Sequence, residues 1–280
     1  MIMSLNWRAI WTIVGKDLRL IRMNKNVLGS LIILPLIFLV VMPGVMVYIA
    51  ASGSNPDVVN DFSEDFDLFY ASMPDGIRTE LQAYDSDAER LVLLISAYMF
   101  APLFLMVPIM VSTTFGADSF AGEHERKTME GLLYAPITDL ELYLGKLLMA
   151  WIPALLVALL GGVIYATVIN VAAWSVMERV FFPNLSWLTL VLWFAPAVSA
   201  AGLAAVIFVS ARAKTVQEAI QVSSMLVIPV ILLIVAQMAG VIYLNVPTIL
   251  IMGAVVWAAA LVVLWLGAKR FQRGELIARL

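Results

Sequence analysis

The sequence predicts an all-α integral membrane protein with six transmembrane helices, and three observations carry that expectation. Apolar residues fill 62% of the 280 positions and charged ones only 13%, with a mean hydropathy of +0.96; soluble domains are about 45–50% apolar and about 25% charged. Six windows of the length a membrane helix needs, about 20 residues, contain no Asp, Glu, Lys, Arg or His: 28–50, 91–116, 147–170, 187–210, 219–240 and 248–268. Lys and Arg are spread unevenly over the remaining segments. The side holding both termini carries 14 of them, and the other side carries three, Arg78, Arg90 and Arg179. Positive residues mark the cytoplasmic side, so both termini are expected there.

The charge-free windows also exclude functions. A charge at mid-membrane costs about 2.5–3.5 kcal/mol on insertion scales, and gradient-driven carriers accept that cost to couple ions to motion. Here the windows hold no ionisable group but tyrosine. Intramembrane proteolysis needs paired aspartates, or a histidine beside a nucleophile. The only histidine, His124, lies between windows, and there is no cysteine, so neither a metal centre nor a catalytic residue is expected. No GxxxxGK[ST] phosphate loop is present either. A working membrane unit of this kind takes its energy from a partner.

Taken in order, residues 5–26 read as an amphipathic helix. Trp7, Ile10, Trp11, Val14, Leu18 and Ile21 fall on one stripe, while Arg8, Thr12, Lys16, Arg19 and Arg22 cover much of the rest. Two tryptophans beside a basic face suit a helix lying in the inner headgroup plane against membrane lipid. The first window is too long for a signal-peptide core and is read as a retained helix. Residues 51–90 carry ten acidic and two basic residues together with Phe62, Phe66, Leu68, Phe69, Ile77, Leu81 and Tyr84. That apolar content predicts two short helices on the outside, with a turn at Pro74–Gly76.

Seven prolines, Pro35, Pro43, Pro102, Pro108, Pro153, Pro196 and Pro229, fall inside windows and each removes a backbone donor. Ala197, Ala201 and Ala205 with Gly202, and the pair Gly161–Gly162, offer close helix packing. Ser96, Ser199, Gln221, Ser223, Ser224 and Gln237 either line a path or bond neighbouring helices; the second is the expectation for any one of them, and they single out no substrate site.

Between the second and third windows, residues 117–146 form the most charged connection. Glu123 and Lys127 stand four apart with the acid first, which supports a helix, and Met129, Leu132 and Leu133 form an apolar cluster at i, i+3, i+4. Pro136 ends that helix. Thr138 to Glu141 then reads T-D-L-E, a capping box for the helix that becomes the third span. The result is a short cytosolic helix held crosswise, with charged and apolar faces both on offer.

The run GEHERKTMEGLLYAPITDLELYLGKLL resembles the G-E-(K/R)-E-x-x-T-x-E-x-L-L-x-x-P-(I/V)-(S/T)-x-x-E-(I/L)-x-x-G-K pattern of type-2 ABC permeases, the ABCG-like exporter membrane subunits. It matches at Gly122, Glu123, Glu125, Thr128, Glu130, Leu132, Leu133, Pro136, Ile137, Thr138, Glu141, Leu142, Gly145 and Lys146, with His124 where a basic residue is usual. The large segment between spans 1 and 2 is similar to that of the sodium, drug and antibiotic-resistance exporters. This resemblance implies a single permease domain over 1–280 in the cytoplasmic membrane of a prokaryote. Its coupling helix, with Glu123, Glu125, Arg126, Lys127, Thr128, Glu130, Leu132, Leu133 and Pro136, would dock on an ATP-binding subunit. The interfacial helix with Trp7, Arg8, Trp11, Lys16 and Arg19 would be the connecting helix. Two ABC ATP-binding subunits, which hold ATP and Mg, and a second permease chain complete the implied unit; nucleic acid is not an expected partner. The implied function is outward movement of an amphiphile, drug-like compound or ion. The alternative is a permease-like module that passes ATP-driven motion to another protein without moving a solute.

Overall fold

The computed structural model describes residues 5–23, 33, 35–52, 73, 75–125, 137–210 and 215–270, and among these there is no strand. Nine helical elements follow one another among the described residues. They are α1 (Trp7–Met23), α2 (Ile37–Val41 and Met42–Ser52), α3 (Asp75–Gln82), α4 (Asp87–Leu93, Leu94–Met99 and Ala101–Glu125), α5 (Asp139–Ala172) and α6 (Trp174–Met177). The last three are α7 (Leu185–Thr189, Leu190–Phe194 and Ala195–Ser210), α8 (Val216–Ser223, Ser224–Leu226 and Val227–Met238) and α9 (Val246–Arg270).

Five of these helices are long and apolar enough to cross a membrane: Asp87–Gly122, Asp139–Ala172, Leu185–Ser210, Val216–Gln237 and Val246–Lys269. They correspond to the second to sixth expected spans. Of the first expected span, residues 28–32 and 34 lie outside the described residues, and residues 37–50 belong to the shorter apolar helix Ile37–Ser52.

Helices α4 and α5 start ahead of their charge-free windows because caps, not charges, set their starts. Thr138 Oγ accepts the Glu141 N–H at 3.2 Å and Glu141 returns a carboxylate oxygen to the Thr138 N–H at 2.8 Å, so α5 starts at Asp139. Ser86 and Glu89 form the same reciprocal box and start α4. At about 1.5 Å per residue α5 is about 51 Å long against a hydrocarbon core of about 30 Å. Its first turns, with Asp139, Glu141 and Lys146, therefore extend past the apolar layer.

Helix α4 is the centre of the bundle, packed by α7, α5 and α8. The expected close approaches are present, with partners now named. A β-carbon on Gly202 would meet Ser112 Oγ at 2.7 Å, one on Gly161 would meet Leu39 at 2.7 Å, and one on Gly162 would meet Val191 at 3.0 Å. Small residues thus bring α7 against α4, and α5 against both α2 and α7.

The prolines act as donors removed from a ladder. The π-helical stretches Ile37–Val41, Leu94–Met99 and Leu190–Phe194 each end two or three residues before Pro43, Pro102 and Pro196, and the 3₁₀ turn Ser224–Leu226 precedes Pro229. Pro108 and Pro153 sit inside continuous α-helix. The turn expected at Pro74–Gly76 is corrected in its described part. Asp75 and Gly76 open α3, because an acidic residue in a first turn complements the helix dipole. The rest of the expected pair of outside helices, residues 53–72 and 74, lies outside the described residues.

Candidate functional site

Two polar joints hold the bundle, one at each end. At the α1 end, three helices meet around the start of α5. Ile10, Ile13, Val14 and Asp17 are buried on one stripe of α1, spaced so that they share a face, and α1 packs along α5. Gly145 makes that approach possible, since a β-carbon there would lie 3.0 Å from Ile13 Cβ. The Glu141 carboxylate serves both helices. One oxygen closes the α5 capping box and the other accepts the Asn6 N–H at 2.7 Å, while Asn6 itself accepts the Ala9 N–H at 3.2 Å as the cap of α1.

Two buried ions of opposite sign converge one turn further along α5. Lys146, 3% exposed, donates its ammonium to the Ser119 carbonyl on α4 and lies 5.4 Å over the Phe120 ring. Asp17, 5% exposed, accepts from Ser119 Oγ at 3.4 Å and pairs with Lys16 at 3.3 Å. Ser119 thus receives α5 on its backbone and α1 on its side chain. Tyr143, one turn before Lys146, packs edge-on to Phe120 and donates to the Leu264 carbonyl of α9 at 2.8 Å.

The stripe expected on α1 divides between two surroundings. Ile10 and Val14 are buried, but Ile13 and Asp17 share their face, while Trp7 and Trp11 are 56% and 55% exposed beside it. Arg8, Lys16 and Arg19 are exposed further round the helix. The reason is that α5 covers only part of the apolar arc and leaves the indoles uncovered. The side chain of Ile21 lies outside the described residues.

Of the expected docking residues, Glu123 and Glu125 fall on the last turn of α4, which runs unbroken from Ala101 to Glu125. The start expected for the crosswise helix is corrected, because residues 123–125 continue α4. Arg126, Lys127, Thr128, Glu130, Leu132, Leu133 and Pro136 lie outside the described residues. The structure places the two ends that flank this segment, Glu125 and Thr138, on helices joined to each other through Lys146 and Ser119.

The far end carries the second joint. In the π-helical stretch of α4 the Phe100 N–H bonds to Ile95 O at 3.2 Å, which leaves the Ser96 carbonyl without its usual α-helical donor. Tyr165 of α5 supplies that donor at 2.7 Å. Pro102 cannot donate to Tyr98 O, and Gln237 of α8 does so instead. The Tyr98 hydroxyl donates to Glu80 Oε2 on α3 at 2.5 Å, and Asn184, the cap of α7, donates to Glu80 Oε1 at 3.1 Å. One carboxylate on a short peripheral helix so ties two spans together. Nearby, burial pushes the Tyr84 phenol above its ordinary pKa, opposed by Arg179 over its ring at 5.3 Å.

Tyr165 also stacks on Trp187 at 4.3 Å, with Phe104 and Phe182 completing an aromatic nest. Outside the nest, an apolar cleft of about 600 Å³ opens between α5 and α7, lined by Val163, Thr167, Asn170, Trp187 and Leu192 among others. Asn170 spends its polar atoms on Ala166 O, Phe182 O and the Phe181 and Phe182 N–H groups, and Thr167 donates to Val163 O. The cleft offers a hydrocarbon surface.

Both joints connect helices that lie far apart in sequence. The family model described as ABC-2 family transporter protein matches residues 11–252. No curated protein and no solved structure matches the chain.

Proposed function

Since the chain belongs to the ABC-2 family of transporter proteins, and is thereby a multi-pass membrane permease subunit, we propose that it couples ATP hydrolysis by a partner to export. Permeases of this family generally work with ATP-binding subunits, and the ATPase activity normally lies in those separate chains. The proposed unit contains two such subunits, which hold ATP and Mg²⁺, and two permease chains. It sits in the cytoplasmic membrane of a prokaryote with both termini inside, which the 14-to-three division of Lys and Arg supports. The cargo is a small amphiphile, a drug-like compound or an ion, moved outward.

The observation that carries this reading is the pairing of sequence and geometry at residues 117–146. Glu123 and Glu125 lie on α4, and the chain with Arg126, Lys127, Thr128, Glu130, Leu132, Leu133 and Pro136 connects it to the capped start of α5. We assign it as the surface on which the ATP-binding subunit docks. Its flanking helices are clamped together, so a push on it reaches α4 and α5 at once. The exposed Trp7 and Trp11 with Arg8, Lys16 and Arg19 support an inner headgroup position for α1.

The test is reconstitution of the chain with its ATP-binding subunit in liposomes. ATP-dependent movement of a solute from a broad amphiphile and cation panel is the expected result. ATPase activity without movement of any of them favours the transmission of motion to a partner protein.

A further inference from the structure

We infer that Lys146, Ser119 and Asp17 form a latch that makes α1 and the two helices flanking the docking segment move as one lever. The inference rests on the permease reading, because the push it transmits comes from a docked ATP-binding subunit. What calls for explanation is the presence of a lysine and an aspartate that are 3% and 5% exposed at the edge of a membrane bundle. Buried ions of this kind add little net stability over apolar residues of like volume, since desolvation offsets their attraction. They do fix geometry, because each ion accepts few arrangements of its partners.

The arrangement is directional. The Lys146 ammonium holds the backbone of α4 at Ser119, ahead of Glu123 and Glu125 on the same helix, and Lys146 itself lies two turns after Thr138, the cap of α5. The latch therefore ties α4 to α5, so that force on either helix reaches the other. Asp17 reaches the same serine from α1, and Glu141 holds the Asn6 N–H of α1 at 2.7 Å one turn below. Gly145 seats Ile13 between those two contacts. Lys146, Ser119 and Asp17 are positioning residues.

The absence of cysteine in the chain allows a direct test in the reconstituted complex. Spin labels at Val180→Cys and Val241→Cys, both 73% exposed at the far end, report motion there when the ATP-binding subunit is trapped with Mg-ATP and vanadate. In the otherwise native chain, trapping shifts the distance distribution. In Lys146→Met the partner's ATPase activity persists and that shift falls about fivefold or more, a coupling loss within the usual allosteric range. Lys146→Arg retains the shift. Should Lys146→Met assemble poorly, Asp17→Asn/Lys146→Met removes both charges, regains thermal stability and still lacks the shift. A full shift in either the Lys146→Met or the double variant overturns the latch. A native complex with no ATPase stimulation instead overturns the permease reading beneath it, and the two failures are read on different signals.

Discussion

Gln237 donates its side-chain amide to the carbonyl oxygen of Tyr98, the acceptor that Pro102 leaves without a helical partner. A proline placed in α4 is thereby stabilised from α8, two elements that are 139 residues apart in sequence at this contact. The π-helical stretch beside it is a joint with its loose carbonyls held from outside. It can bend when those holds are released.

Gln237→Leu removes the donor and leaves the Tyr98 carbonyl buried without one. The expected loss is about 1–2 kcal/mol, the upper part of the range for hydrogen bonds between membrane helices. Thermal unfolding in detergent measures it. Gln237→Asn, too short to reach, gives a similar loss, whereas unchanged stability in both variants removes the assigned role.

Tyr165 separates two contributions. Tyr165→Phe keeps the stacking on Trp187 and loses only the bond to Ser96 O, for about 0.6–1.7 kcal/mol. Tyr165→Ala empties the aromatic nest and costs about 3–5 kcal/mol. Equal losses on unfolding would mean that the ring contributes nothing beyond its hydroxyl, against the packing described.

Gly145→Val places a branched side chain where Ile13 already lies within 3.1 Å of a bare β-carbon. We expect α1 to be displaced from α5, with faster proteolysis between residues 5 and 23 and loss of partner-stimulated ATPase activity. Ile13→Ala in the same chain makes room and restores protection. Protection at the native level in Gly145→Val alone would contradict this packing.

Glu80→Gln keeps an acceptor for the Tyr98 hydroxyl and is expected to retain most of the stability. Glu80→Leu leaves Tyr98 and Asn184 without their shared partner and is expected to lose about 1–3 kcal/mol, read by the same unfolding assay.

The sequence reading and the structure agree where local chemistry decides. Charge-free windows mark the five long spans, since no ion enters the hydrocarbon layer without a partner. The Thr138–Glu141 box is legible because both of its members lie within one turn. The Ser86–Glu89 box is equally local, but its signal is hidden among the acidic residues that surround it. Asp17 was not legible. Its place on the stripe of Ile10, Ile13 and Val14 shows only when Ser119, 102 residues away, is brought beside it. Glu80 is the same case, since its partners Tyr98 and Asn184 lie on two different spans. The prolines announced missing donors, and only the tertiary fold names Gln237 as the replacement.

The most direct measurement on the docking assignment is partner-stimulated ATPase activity of the purified complex carrying Leu133→Asp or Glu125→Lys. Membrane insertion and yield of the chain should match the native protein, while stimulation falls to the level of the ATP-binding subunit alone. Stimulation at the native level in both variants would contradict the docking of that subunit on this segment.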